Sequence, residues 1–150
     1  MYFVDRNEIS TTLDYMNYVL HIFEQESDWL GSDMNKLALD RLVHVTIESI
    51  IDVGNSMIDG FIMRDPGSYE DIIDIMDDEE VITDEMVAPL KEVVALRDMI
   101  VRHFKKVDYE VVLDTMERHI DVLKQWAPAV NDYLENELGP VSAFLPEDEA

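Results

Sequence analysis

Arg97, Arg102 and His103 are the residues of this chain whose types and spacing could do chemistry. A histidine titrates near neutrality, so it can take the proton of a ribose 2′-hydroxyl or return one to a leaving oxygen. An arginine can hold the charge that builds on a phosphate in the transition state. Together they suit RNA cleavage, although an Arg and a His five or six apart occur in many helices by chance. Arg97 is informative for a second reason. From Leu90 to Phe104 the apolar residues Leu90, Val93, Val94, Ile100, Val101 and Phe104 recur at helical spacing. Arg97 projects into that stripe, between Val93 and Val101, where a permanent cation needs a carboxylate, a phosphate or a backbone acceptor. Arg102 and His103 project onto the more polar side, with His103 about 120° from Arg97 at ~100° per residue. They open a short basic cluster that ends with Lys105 and Lys106.

A second polar pattern precedes it. His44, Glu48, Asp52, Asn55 and Asp59 form one narrow row at spacings of three and four, opposite an apolar face carrying Leu39, Leu42, Val43, Thr46, Ile50, Val53 and Met57. A histidine and a glutamate four apart can share a metal in a helical bundle. No second His/Glu pair faces this one, however, and a solvated stripe or a polar interface seam explains the row as well. A third reading joins the two patterns: Glu48 or Asp52 is the acid that neutralises Arg97. Arg97 is then expected to be mostly buried and paired with one of them. Neither a metal nor a cofactor is called for. The methionines and aromatic residues fall mostly at apolar helical positions and read as core or interface.

The elements that position these groups are helical nearly throughout. Asp5 with Glu8 reads as a capping box opening a first helix that runs to about Glu26. Ser32 or Asp33 starts a second helix reaching about Ile62, with Gly54 and Gly60 weakening its last turns. Asp65-Pro66-Gly67 is a turn, and Ser68 with Asp71 opens a short third helix. Thr83 or Asp84 caps the fourth, which carries the candidate site, and the fifth begins near Asp108. Pro128 should kink or divide that last helix, and the tail from about Gly139-Pro140 reads as irregular. Four long helices, one short helix and brief connections predict an all-α antiparallel four-helix bundle with a kinked C-terminal helix, a single domain over residues 1–150.

Composition narrows the partners. With 34 acidic and 11 basic residues the formal charge is −23, which excludes a general polyanion binder, DNA-binding proteins included. The charge is uneven. Ten acidic residues and no Lys or Arg lie between Asp65 and Glu85, whereas Lys91 to Lys106 holds five basic residues against two acidic ones. Any anion site belongs on that second stretch. A hydrophobic content of 47% excludes a disordered chain, and the lack of cysteine excludes disulfides and thiolate chemistry. Neither a basic leader nor an apolar run long enough for a membrane span is present, so a cytoplasmic protein is expected. The apolar faces and polar rows of the second and fourth helices exceed what one small core needs, which predicts a symmetric homodimer.

Three stretches carry a resemblance to a known family: 37–48 (LALDRLVHVTIE), 51–55 (IDVGN) and 97–104 (RDMIVRHF) followed by Val107-Asp108. Over roughly residues 5–142 the chain resembles the HepT-like family of small helical proteins. The run 60–69 (GFIMRDPGSY) and the ending 137–142 (ELGPVS) resemble its YutE-type branch. The resemblance implies a homodimeric helical bundle. It also implies a ribonuclease toxin of a type VII toxin–antitoxin system, paired with a minimal nucleotidyltransferase antitoxin that silences it by adding AMP to a tyrosine. The family motif is an Arg, four to six residues, a His, one residue and a Tyr. Arg97 matches the arginine, and His103 meets the spacing with five intervening residues. An ungapped reading instead places Arg102 at the histidine position and Phe104 at the tyrosine position, with Asp98 where an asparagine is usual. Two functions are therefore expected to compete: a metal-independent endoribonuclease using Arg97, Arg102 and His103, and a non-catalytic helical homodimer that binds a protein partner.

Overall fold

The computed structural model describes residues 4–139. Among them the chain forms α1 (Arg6–Gln25), α2 (Asp33–Phe61), α3 (Tyr69–Asp78), α4 (Asp84–Arg97) and α5 (Tyr109–Leu138). Four of the five starts are fixed by side-chain caps. The carboxylate of Asp5 accepts the Glu8 N–H at 3.0 Å, the Ser32 hydroxyl that of Asn35 at 3.0 Å, the Ser68 hydroxyl that of Asp71 at 3.0 Å, and Asp108 that of Val111 at 3.2 Å. Each satisfies an orphan donor and is worth about 1 kcal/mol. Thr83 occupies the same position before α4 without a side-chain cap bond.

Helix α2 is the scaffold on which the rest assembles, since α1, α3, α4 and α5 all pack against it. Its buried residues Leu39, Val43, Ile47, Ile50 and Met57 meet Leu13 and Met16 of α1, Ile72 and Met76 of α3, Leu90 and Val93 of α4, and Met116 and Trp126 of α5 in one core. The short connections return each long helix alongside its predecessor, giving the expected four-helix bundle with α3 as the short extra element. Gly54 is tolerated inside α2 because α3 crosses there: a Cβ on Gly54 would overlap the Ile72 Cγ2 methyl. Helix α2 ends with Ile62 in the left-handed region (φ 57°), and its N–H, with that of Met63, satisfies the Ile58 carbonyl.

One sequence expectation needs correction, and of the two outcomes expected at Pro128 one is excluded. The fourth helix is regular only to Arg97. It then widens into a π-helical turn over Asp98–Arg102 and closes with a 3₁₀ turn over Phe104–Lys106, so the ~100° projection that set His103 about 120° from Arg97 fails beyond residue 97. Pro128 does not divide α5, which passes through it as one helix. The proline is exposed, while its neighbours Trp126, Ala127 and Val130 are buried and hold both halves to the core. The expected irregular tail beyond Gly139 lies outside the described residues. No helix among the described residues is long and apolar enough to cross a membrane.

Candidate functional site

Arg97 is the last residue of α4 and turns its guanidinium back onto α2. Its Nε donates to Glu48 Oε1 at 2.7 Å, and its Cζ lies 4.6 Å from the centre of the Tyr69 ring at the start of α3. The arginine thus joins three helices. Its pKa is raised chiefly by the Glu48 hydrogen bond, against a smaller opposing effect of burial, so it stays fully charged. The pairing with Glu48 is one of the two expected from sequence, and the side chain is mostly buried as expected, with 25% of it still exposed. Glu48 Oε1 also lies 3.5 Å from His44 Nε2. The His44/Glu48 pair thus lies within α2, and the same glutamate oxygen ties it to α4 through Arg97. Among the described residues no group of three or more His, Asp or Glu is placed to hold a metal ion. Asp52, the other acid considered for Arg97, faces the surface groove between α1 and α2 with Glu8, Thr12 and Asp59.

Arg102 and His103 lie elsewhere. The π-turn ends at Arg102, and the His103 N–H closes it by donating to the Asp98 and Met99 carbonyls at 3.3 and 3.1 Å. Both side chains stand in solvent, 78% and 68% exposed, and both face one carboxylate. Asp98 Oδ2 is 3.5 Å from His103 Nε2, and Asp98 Oδ1 is 3.9 Å from Arg102 Nε. Arg102, His103, Phe104, Lys105 and Lys106 together line an open concavity of about 310 Å³. The structure therefore brings Arg102 and His103 together and pairs Arg97 with other residues, on α2 and α3. The π-turn explains the separation: it ends the regular helix at Arg97 and swings the basic cluster outward.

Several further groups were not singled out from sequence. His119 Nε2 of α5 lies 2.7 Å from Glu92 Oε2 of α4, and Arg118 reaches the same oxygen at 3.0 Å and Asp114 at 2.9 Å. His119 first and Arg118 second hold the Glu92 carboxyl below its ordinary range. Asp40, one turn before His44 on α2, is pushed up by burial and has one oxygen without a partner. Burial, then the carboxylates of Asp40 and Asp33, push the Tyr109 phenol up in turn. Tyr69 and Glu92 act across helix–helix contacts, with partners 28 and 27 residues away in sequence, where periodicity is blind.

Residues 12–130 match the family described as Ribonuclease HepT-like. A Bacillus subtilis (strain 168) protein named "Putative RNase YutE" is 45% identical over 144 residues, covering 96% of this chain and 99% of that one. The solved structure of YutE from Bacillus subtilis, described as a cytosolic protein of unknown function, superposes with a TM-score of 0.92 over 96% of this chain and 100% of that one. A tri-AMPylated Shewanella oneidensis HEPN toxin, solved in complex with an MNT antitoxin, is 17% identical. It superposes with a TM-score of 0.69 over 84% of this chain and 95% of that one, a likeness of fold alone. The family match over residues 12–130 and the near full-length relative at 45% identity lead to one conclusion: this chain belongs to the Ribonuclease HepT-like family.

Proposed function

We propose that the protein is a metal-independent endoribonuclease whose reacting groups sit on the turn 98–106. The observation that carries this reading is the pairing of adjacent, exposed Arg102 and His103 in one concavity, with Asp98 Oδ2 at 3.5 Å from the imidazole. Neutral His103 takes the 2′-hydroxyl proton, the 2′-oxygen bonds to phosphorus, and the bond from phosphorus to the 5′-oxygen breaks. Water supplies the proton to the departing 5′-oxygen, leaving a 2′,3′-cyclic phosphate and a 5′-hydroxyl. Arg102 faces the phosphate oxygens as charge builds there, and Asp98 holds the imidazole in orientation, as a carboxylate beside a catalytic histidine does. Arg97 is a positioning residue in this mechanism: committed to Glu48 and Tyr69, it anchors the end of α4 from which the reactive turn departs.

The proposal extends to assembly and control. The protein acts as a cytoplasmic homodimer and as the toxin of a type VII system, with a minimal nucleotidyltransferase as antitoxin. The solved HEPN toxin bound to an MNT antitoxin supports that partner class. AMP addition at position 104 is chemically closed, because Phe104 has no hydroxyl. The same residue, together with the neutralised Arg97 and the charge of −23, favours the second reading of a non-catalytic dimer that binds a protein. Single-stranded RNA and DNA of one sequence, incubated with pure protein in EDTA, separate the two. The nuclease reading expects RNA cut to 2′,3′-cyclic phosphate ends and DNA left intact. The second reading expects both strands intact.

A further inference from the structure

Phe104 sits at the start of the 3₁₀ turn with 62% of its surface exposed, the one phenyl ring among five consecutive residues that otherwise carry Arg102, His103, Lys105 and Lys106. An exposed phenyl ring adds nothing to the core, and no packing need of the fold places it there. It also lines the concavity, with Lys105 Nζ at 5.9 Å from the ring centroid. An open π-face surrounded by cations has the chemistry that single strands require: every unpaired base offers a π-face to stack, while neighbouring cations follow the phosphates. In a duplex the bases are already stacked on one another and their faces are out of reach.

We propose that Phe104 is a stacking platform for one unpaired nucleobase, which makes the turn 102–106 selective for single-stranded RNA. The inference rests on the ribonuclease reading for its choice of ligand and adds to it a specificity-determining residue. Charge alone makes the case for a stacking contribution. Arg102, Lys105 and Lys106 are three permanent cations on a chain of net charge −23. Three neutralised phosphates predict a salt slope of only about −2, at ~0.7 per phosphate on single strands. A ligand held by so few charges needs a second source of affinity, and the exposed ring supplies it beside the phosphate holder. The ring also fixes register: a base stacked on Phe104 leaves its own ribose and phosphate next to His103 and Arg102.

The test is fluorescence anisotropy at low salt in EDTA with a labelled single-stranded 12-nucleotide RNA and a duplex of the same sequence. It compares the full chain with Phe104→Ala, Phe104→Leu and Phe104→Trp, each also in the His103→Ala background so that the RNA stays whole. Single-strand affinity should fall about 5- to 150-fold in Phe104→Ala, the range seen per stacked base (~1–3 kcal/mol). It should fall in Phe104→Leu as well and hold or rise in Phe104→Trp, with the salt slope unchanged throughout. The indole of Phe104→Trp should be quenched by the single strand and not by the duplex. Single-strand binding indifferent to all three substitutions overturns the platform and leaves the ring to a protein partner. An altered oligomeric mass in Phe104→Ala overturns it in favour of a subunit contact. Ring-dependent binding without any RNA cleavage overturns the nuclease reading alone and upholds the platform. A wild-type chain that binds no single strand overturns both.

Discussion

At the scale of single residues, Arg97 is best understood as a partly hydrated joint. Its hydrogen bond to Glu48 is short, at 2.7 Å, yet a quarter of the arginine side chain and 36% of that of Glu48 remain in contact with solvent. Fully buried pairs cost about 3–5 kcal/mol when one member is removed. An exposed pair contributes about 1 kcal/mol or less, and a cation over an aromatic face adds about 0.5–1 kcal/mol at such a site. Arg97→Ala should therefore lower the unfolding free energy by about 1–2 kcal/mol in urea titration, and Arg97→Lys by part of that, since an ammonium keeps the charge but loses the planar stack on Tyr69. A loss above about 3 kcal/mol in Arg97→Ala would mean the joint is dry. The need of Arg97 for an acid was legible in sequence because a helical stripe shows which turn a cation interrupts. The degree of its residual hydration was not, since exposure depends on how closely α2, α3 and α4 approach. Tyr69, 28 residues away, gave no sign of its role.

At the scale of elements, caps and periodicity made the helix starts readable: Asp5, Ser32, Ser68 and Asp108 all do what their side chains suit them to do. The π-turn at Asp98–Arg102 was not readable. It keeps helical backbone bonding while adding a residue to the turn, and the apolar pattern across it still looks like one helix. This is why the sequence put Arg97 and His103 on one element and the structure separates their partners. The crossing of α2 and α3 gives a sharp test. Gly54→Ala places a methyl against Ile72 in a closed core, and overpacking of this kind costs about 1–3 kcal/mol. Thermal denaturation should show a clearly lowered Tm, and an unchanged Tm would mean that α3 can slide. The adjoining turn carries a pH dependence. Asp71 accepts two bonds from Arg64, at 2.7 and 2.9 Å, and the Gly67 N–H at 2.8 Å. The Arg64 guanidinium, then the Gly67 amide, hold its carboxyl at about 2, against an ordinary 3.8. A depressed carboxylate stabilises the folded turn above the unfolded pKa and stops doing so as pH falls through the folded one. Hydrogen-exchange protection at Gly67 should thus be steady above about pH 4 and fall towards pH 2. Protection that stays flat across that range, or its persistence in Asp71→Asn, would count against the clamp.

At the scale of the whole molecule, the net charge of −23 sets the terms on which any nucleic acid can approach. Under the proposed function, repulsion over most of the surface would confine RNA to the basic turn 102–106, and a homodimer would double that anchor. For the proposed homodimer, the exposed Tyr15 and Tyr18 of α1, with ring centroids 5.9 Å apart, and the exposed Leu37 of α2 are candidate contacts for a second copy. Light scattering at micromolar concentration should return twice the 17.4 kDa chain mass, and a clean monomer would contradict the dimer.

The proposed nuclease activity depends on His103 moving the proton. Initial rates of single-stranded RNA cleavage in EDTA, compared between the wild-type chain and His103→Ala, test it most directly. Loss of a general acid or base costs about 10²–10⁴ in rate, so His103→Ala should fall by that factor while its fold and oligomeric mass stay unchanged. Cleavage that continues undiminished in His103→Ala, or a wild-type protein with no activity on any single strand, would contradict the account.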